Sequence, residues 1–173
     1  MEISAERIKQ LRERSGAGVM ACKRALQEGG GDMERAMEIL RQQGLAQVAK
    51  RAGREAAQGI VESYIHGGGR IGVLVEVNCE TDFVARTPEF RQLAHDIAMQ
   101  IAFANPPSVA ADGTSGSAIS PDARELDGVP LLDQPFIRDE RQTIADIVRE
   151  TALKTGENIV IRRFTRYELG TAE

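Results

Sequence analysis

Gly59-Ile60-Val61-Glu62-Ser63-Tyr64-Ile65-His66-Gly67-Gly68-Gly69-Arg70-Ile71-Gly72-Val73-Leu74-Val75-Glu76-Val77-Asn78 is the stretch whose reading decides the fold. Ile60, Val61, Tyr64 and Ile65 make a β-prone run. Ile71, Val73, Val75 and Val77 alternate with Gly72, Leu74, Glu76 and Asn78, the period of two that lines one face of a strand with apolar side chains. The three glycines between the runs can take positive φ without a Cβ penalty, so the pair predicts an antiparallel hairpin.

C-terminal to the hairpin, Pro88 opens a helix that places Phe90, Leu93, Ile97 and Ile101 on one buried face, and Asn105-Pro106-Pro107 ends it. Residues 106–130 are rich in Ala, Ser, Gly, Pro and Asp and poor in large apolar side chains. Such a composition buries too little surface to order itself, so a mobile surface loop is expected there. Residues 139–155 read as a second helix with Ile144, Ile147, Val148 and Leu153 inward. Ile159, Val160, Ile161, Phe164 and Tyr167 read as a last strand. Residues 59–173 therefore predict an α+β core, an antiparallel three-stranded sheet with helices on one face.

N-terminal to the hairpin, residues 1–44 read as three short helices. Ser4 is placed to cap the first, which carries Ile8 and Leu11, and Gly16-Ala17-Gly18 stops it. Met20 to Glu28 makes the second, ended by Gly29-Gly30-Gly31. Asp32 caps the third, with Ala36, Met37 and Leu40 at the spacing of a buried stripe and Gly44 as its end. Residues 45–58, Ala-rich and basic, read as a linker helix interrupted near Gly53.

The composition narrows the function classes. Residues 1–54 carry eleven Lys/Arg against seven Asp/Glu, and residues 55–173 eleven against nineteen. A weakly basic head on an acidic body argues against broad nucleic-acid binding, which needs a dense basic face. No Trp and two Tyr leave few platforms for stacking bases. No window approaches the roughly eighteen consecutive apolar residues of a membrane span. The charged N-terminus lacks a signal-peptide core, and the two cysteines, Cys22 and Cys79, fit a reducing compartment. A cytoplasmic protein is expected. His66, His95 and the cysteines show no metal-ligand spacing. Gly67 to Gly69 lack the Gly-Lys-Ser/Thr ending of a phosphate loop, and no nucleophile–base pair is evident. No cofactor and no enzymatic activity are expected.

Three segments go beyond fold class. Leu11-Arg12-Glu13-Arg14-Ser15-Gly16-Ala17-Gly18-Val19-Met20-Ala21-Cys22-Lys23-Arg24-Ala25-Leu26 and Glu76-Val77-Asn78-Cys79-Glu80-Thr81-Asp82-Phe83-Val84-Ala85-Arg86 resemble, in order, the signature segments of the elongation factor Ts family. Gly156-Glu157-Asn158-Ile159-Val160-Ile161-Arg162-Arg163-Phe164 is similar to that family's closing strand. The resemblance spans the chain apart from residues 106–130. It implies a ubiquitin-associated-like three-helix head on an α+β core. It also implies binding to the GDP form of elongation factor Tu and release of the nucleotide. Carried over, Arg12, Val19, Met20 and Lys23 belong to the head surface that grips the GTPase domain. Thr81, Asp82, Phe83 and Val84 form the turn that enters near the magnesium and phosphate pocket. His66 and Gly67 belong to a hairpin that touches another part of the partner. Long members of the family carry two copies of the core and this chain has one, so the resemblance also implies a homodimer through the core. Val19 stands where a Met is usual.

Each of these residues has a plainer reading. Asp82 after a strand is an ordinary turn or capping residue, and Phe83 alone would be counted as core. Val19 and Met20 could equally pack the bundle. The main rival function is a ubiquitin-associated-like protein-binding adaptor, which leaves Thr81-Asp82-Phe83-Val84 without a role. An RNA-binding protein is opposed by the acidic body.

Overall fold

The computed structural model describes residues 3–111, 116–117 and 128–171. The chain divides into two units, Met1–Arg51 and Ala52–Glu173.

The first unit holds three helices, α1 (Ala5–Ser15), α2 (Val19–Glu28) and α3 (Met33–Arg51). The Ser4 hydroxyl accepts from Arg7 N–H and starts α1, and Gly16 at φ +67° stops it. Asp32 Oδ1 accepts from Arg35 N–H at 2.8 Å and starts α3. Leu11, Cys22, Ala25, Leu26 and Ala36 are fully buried, with Ile8, Met37 and Leu40 packed against them. The expected end of α3 at Gly44 is not seen. The helix passes through Gly44 to Arg51 and takes up the first turns of the linker helix expected over 45–58. One interior glycine costs about 1 kcal/mol relative to alanine, too little to stop a helix flanked by Leu45, Ala46, Gln47 and Ala49. Beyond Arg51 the backbone leaves the helix. The carbonyls of Ala52, Arg54 and Ala56 are taken by the side-chain amides of Asn158 and Asn78.

The second unit is built on β1 (Gln58–His66) and β2 (Ile71–Cys79), the predicted hairpin, with every residue of one strand paired to the other. A one-turn helix α4 (Asp82–Ala85) and the long α5 (Pro88–Ala104) follow. Then come a two-residue strand β3 (Gly116–Ser117), a small hairpin of β4 (Pro135–Phe136) and β5 (Asp139–Thr143), α6 (Ile144–Thr155) and β6 (Val160–Glu168). The sheet runs in the order β1-β2-β6-β3. Its body is the expected three-stranded antiparallel sheet, and β3 adds a short parallel edge. Val73, Val75, Val77, Ile161 and Phe164 face inward with Phe90, Leu93, Ile97 and Ile101 of α5. A register shift opposite Glu76/Val77 puts Arg162 out of step, so Ile161 and Phe164, three apart, both reach the core.

Two local expectations are corrected. Residues 139–143, expected to be helical, form β5. Thr143 and Asp146 make a capping box that starts α6 only at Ile144, while Gln100 of α5 holds the small hairpin through Pro135 O at 3.2 Å and Ile137 N at 3.0 Å. In α6, Ile144, Ile147 and Ala152 are buried, while Leu153, expected inward, is exposed. The expected last strand is present as β6, along which Val160 and Tyr167 are exposed. The mobile loop expected at 106–130 falls largely on residues 112–115 and 118–127, outside the described residues. Its two ends are held together, Leu131 N and Leu132 N donating to Ser108 O and Val109 O.

Gly59 sits where β1 meets the end of β2. At φ +148°, a Cβ there would overlap the Val77 carbonyl oxygen and lie 2.7 Å from Asn78 Cα, both fixed backbone. Gly59→Ala is therefore expected to destabilise the second unit by about 2–4 kcal/mol, read as a fall in melting temperature. A melt like that of the unchanged chain would mean that the strand end yields freely. Among the described residues, no helix is long and apolar enough to cross a membrane.

Candidate functional site: an exchange turn, a hairpin tip and a head surface

β2 leaves the sheet at Cys79, and the chain must turn sharply because Thr87 and Pro88 begin α5 eight residues later. Thr81 makes that turn. Its hydroxyl accepts from Val84 N–H at 3.3 Å, capping α4. Within this single turn the four predicted residues divide. Val84 and Ala85 are buried, while Phe83 is 77 % exposed on the opposite side. Asp82 is also exposed and its carboxylate pairs with Arg86 at 2.9 Å. Phe83 is thus not a core residue, and Val84 is the anchor of the turn rather than part of its outer surface.

The root of the turn is tied to the start of β6. Glu157 Oε2 accepts from Glu80 N–H and Thr81 N–H, each at 3.0 Å, and Glu157 Oε1 accepts from the Thr81 hydroxyl at 2.6 Å. In return Glu80 Oε1 accepts from Asn158 N–H at 2.7 Å. The Glu80 carboxylate also faces Arg54 Nη1 at 3.5 Å. Glu157 and Asn158 belong to the closing segment that resembles the family, and the sequence alone assigns them no role of their own. Their bonds cross more than seventy residues, and nothing local announces them. Cys79 lies beneath the same turn, its Sγ 3.1 Å from Thr81 O. Burial, with a smaller contribution from the Glu157 charge, pushes its thiol up to about 11. It stays protonated at neutral pH and serves as packing.

At the other end of β2, Gly67, Gly68 and Gly69 all take positive φ to close the hairpin after His66. The His66 ring stacks on Tyr64 with centroids 5.9 Å apart, and its Nδ1 lies 3.2 Å from the Tyr64 hydroxyl. His95 of α5 meets Tyr64 edge-on at 5.6 Å and approaches Glu62 at 3.5 Å. His66 is therefore braced by Tyr64 of its own strand, and Tyr64 is in turn backed by His95 of α5. Eight residue steps of β2 separate the hairpin tip from the Thr81–Val84 turn, about 26 Å at the rise of a strand. The two surfaces lie at opposite ends of one strand.

In the first unit, Val19, Met20 and Lys23 lie on one side of the start of α2 and all are exposed; Arg12, in the last turn of α1, is exposed too. Leu11, Cys22, Ala25 and Leu26 do the packing, so Val19 and Met20 are free of the bundle core and stand exposed beside Lys23 on the first turns of α2.

The comparisons with known proteins bear on these same segments. The family model described as Elongation factor TS matches residues 33–126, from the start of α3 through the hairpin, the Thr81–Val84 turn and α5. The elongation factor Ts of Desulforamulus reducens is 51 % identical over 98 % of this chain and 90 % of its own length. The chain belongs to the elongation factor Ts family. The elongation factor Ts of Moorella thermoacetica is 48 % identical over 97 % of this chain and 96 % of its own. That of Coprothermobacter proteolyticus is 46 % identical over 98 % and 100 %. These members of the elongation factor Ts family are matched over nine-tenths or more of their own length.

Proposed function

We propose that this chain is a guanine-nucleotide exchange factor for elongation factor Tu in translation, acting in the cytoplasm by binding and not by making or breaking covalent bonds. The observation that carries the reading is Phe83, a large apolar side chain 77 % exposed on a capped turn whose next two residues are buried. Exposed aromatics on rigid supports are suited to enter a partner. Bound GDP is held by Mg²⁺ and by backbone N–H groups around its phosphates. A factor that binds better to the distorted pocket weakens GDP, and GDP weakens the factor by the same ratio. Full burial of a Phe against the partner supplies about 1.5–3 kcal/mol toward that difference, and the Asp82 carboxylate perturbs the magnesium site by its charge. On this reading Thr81 and Val84 hold the turn, while Arg12, Val19, Met20 and Lys23 grip the GTPase domain. His66 and Gly67 touch another part of the partner. The test is release of labelled GDP from elongation factor Tu. Release no faster with the chain than without it would overturn the reading.

The second part of the proposal is a two-fold homodimer through the sheet. Val61, Ile65, Leu74 and Tyr167 stand 67, 65, 48 and 68 % exposed on the sheet face away from α5. A shallow groove between Val61, Leu74 and the Glu76–Arg163 ion pair runs along it. Four large exposed apolar side chains grouped on one sheet face support an interface there. An exchange turn and a hairpin tip at opposite ends of one strand are presented to one partner more readily by two chains. Light scattering is expected to give about twice the 18.8 kDa chain mass. Ile65→Asp is expected to halve that mass with little change in the melt, because Ile65 is 65 % exposed and lies outside the core under α5. A fully active monomer would count against the pairing.

A further inference from the structure

We propose that Glu157 is a positioning residue of the exchange turn: its carboxylate clamps the root of α4 so that Asp82 and Phe83 are presented rigidly. The inference deepens the exchange reading above and rests on it for its functional arm.

The geometry carries the assignment. A one-turn helix has no length from which to draw stability, since forming the first turn fixes several dihedrals for a single hydrogen bond. α4 must therefore be held from outside. On its inner side Val84 and Ala85 are buried. On its N-terminal side, the only described acceptor for the Glu80 and Thr81 N–H groups is Glu157 Oε2. The second carboxylate oxygen takes the Thr81 hydroxyl proton at 2.6 Å, which leaves the lone pairs of Thr81 Oγ1 for Val84 N–H. One carboxylate thus orients both the backbone and the capping side chain, through bonds that charge makes short and strong.

The clamp is closed from the other direction. Glu80 Oε1 accepts from Asn158 N–H at 2.7 Å, so the residues on either side of each carboxylate exchange hydrogen bonds between the end of β2 and the start of β6. Asn158 in turn donates from its side chain to Arg54 O at 2.8 Å. The root of the turn is therefore bound to the strand that crosses the middle of the sheet. A wedge that yields cannot distort its target, so stiffness here converts binding into nucleotide release. Glu157 itself need not touch the partner.

The experiment compares Glu157→Ala, Glu157→Asp and Glu157→Gln in the full chain, at a temperature where circular dichroism shows each folded. GDP release from elongation factor Tu is followed as factor concentration rises, and amide hydrogen exchange of Val84 and Ala85 is measured in the free protein. Glu157→Ala is expected to lower the maximal release rate about tenfold or more while the half-saturating concentration changes far less, because the head and hairpin surfaces remain. Its Val84 and Ala85 amides are expected to exchange faster. Glu157→Asp, withdrawn by one methylene, is expected to follow it at smaller amplitude. Glu157→Gln keeps one oxygen for the two backbone amides and an NH₂ that Thr81 Oγ1 can accept, so it is expected to stay near the unchanged chain. Unaltered maximal rate and amide protection in both Glu157→Ala and Glu157→Asp would overturn the proposal, and so would Glu157→Gln failing as badly as Glu157→Ala. Should the unchanged chain release no GDP, the exchange reading falls, and amide protection alone decides whether Glu157 holds the turn.

Discussion

Phe83→Ala is expected to slow GDP release from elongation factor Tu by roughly ten- to a hundred-fold, the cost of about 1.4–3 kcal/mol of lost contact, while leaving the protein's own stability nearly untouched. The second half of that expectation comes from the structure. A core Phe→Ala costs about 3–5 kcal/mol, but Phe83 is exposed and packs little against its own chain. Its removal falls in the range of about 0.5 kcal/mol typical of surface changes. A collapsed melt would return Phe83 to the core, and release at the unchanged rate would remove it from the mechanism. Asp82→Ala separates a charge effect from an apolar one. In the free protein the Asp82 carboxylate is paired with Arg86, but an exposed pair four residues apart on a helix is worth only about 0.3–0.5 kcal/mol. Its carboxylate can therefore leave Arg86 at little cost to approach a magnesium site. If its field is what matters, the loss in Asp82→Ala will depend on magnesium concentration, whereas the loss in Phe83→Ala will not.

Deleting residues 1–51 is expected to leave a folded body and to weaken binding to elongation factor Tu by about a hundredfold, as the loss of roughly 3 kcal/mol of contact implies. The body has its own core in Val73, Val75, Val77, Phe90, Ile97, Ile101, Ile161 and Phe164. A chain that begins at Ala52 keeps the carbonyls of Ala52 and Arg54 on the side chain of Asn158. What it loses are the exposed side chains of Arg12, Val19, Met20 and Lys23. Titration calorimetry gives the affinity and circular dichroism the fold. A truncated body that binds as tightly as the full chain would show that those residues are not the grip.

Much of this protein is legible along the chain because its signals are local. Alternating valines in β2, glycines between two β-prone runs, and a proline followed by apolar residues at helical spacing each act within a few residues. The hairpin and α5 follow from them directly. The family segments likewise lie within short windows, and they pointed to Asp82 and Phe83 against the plain expectation that a lone Phe is buried. Tertiary structure decided the rest wherever a weak local preference met a stronger distant contact. Gly44 marks a helix end on propensity alone, yet α3 continues through it and stops at Arg51, where Asn158 and Asn78 take the following carbonyls. Residues 139–143 have no strong preference, and their pairing with Pro135–Phe136, on a hairpin held by the buried Gln100, makes them a strand. Phe83 and Val84 are adjacent apolar residues, and only the turn capped by Thr81 sends one to solvent and the other to the core. That turn is held by a carboxylate on Glu157, and no periodicity or short motif encodes a hydrogen bond across so many residues: it exists only once the end of β2 and the start of β6 lie side by side.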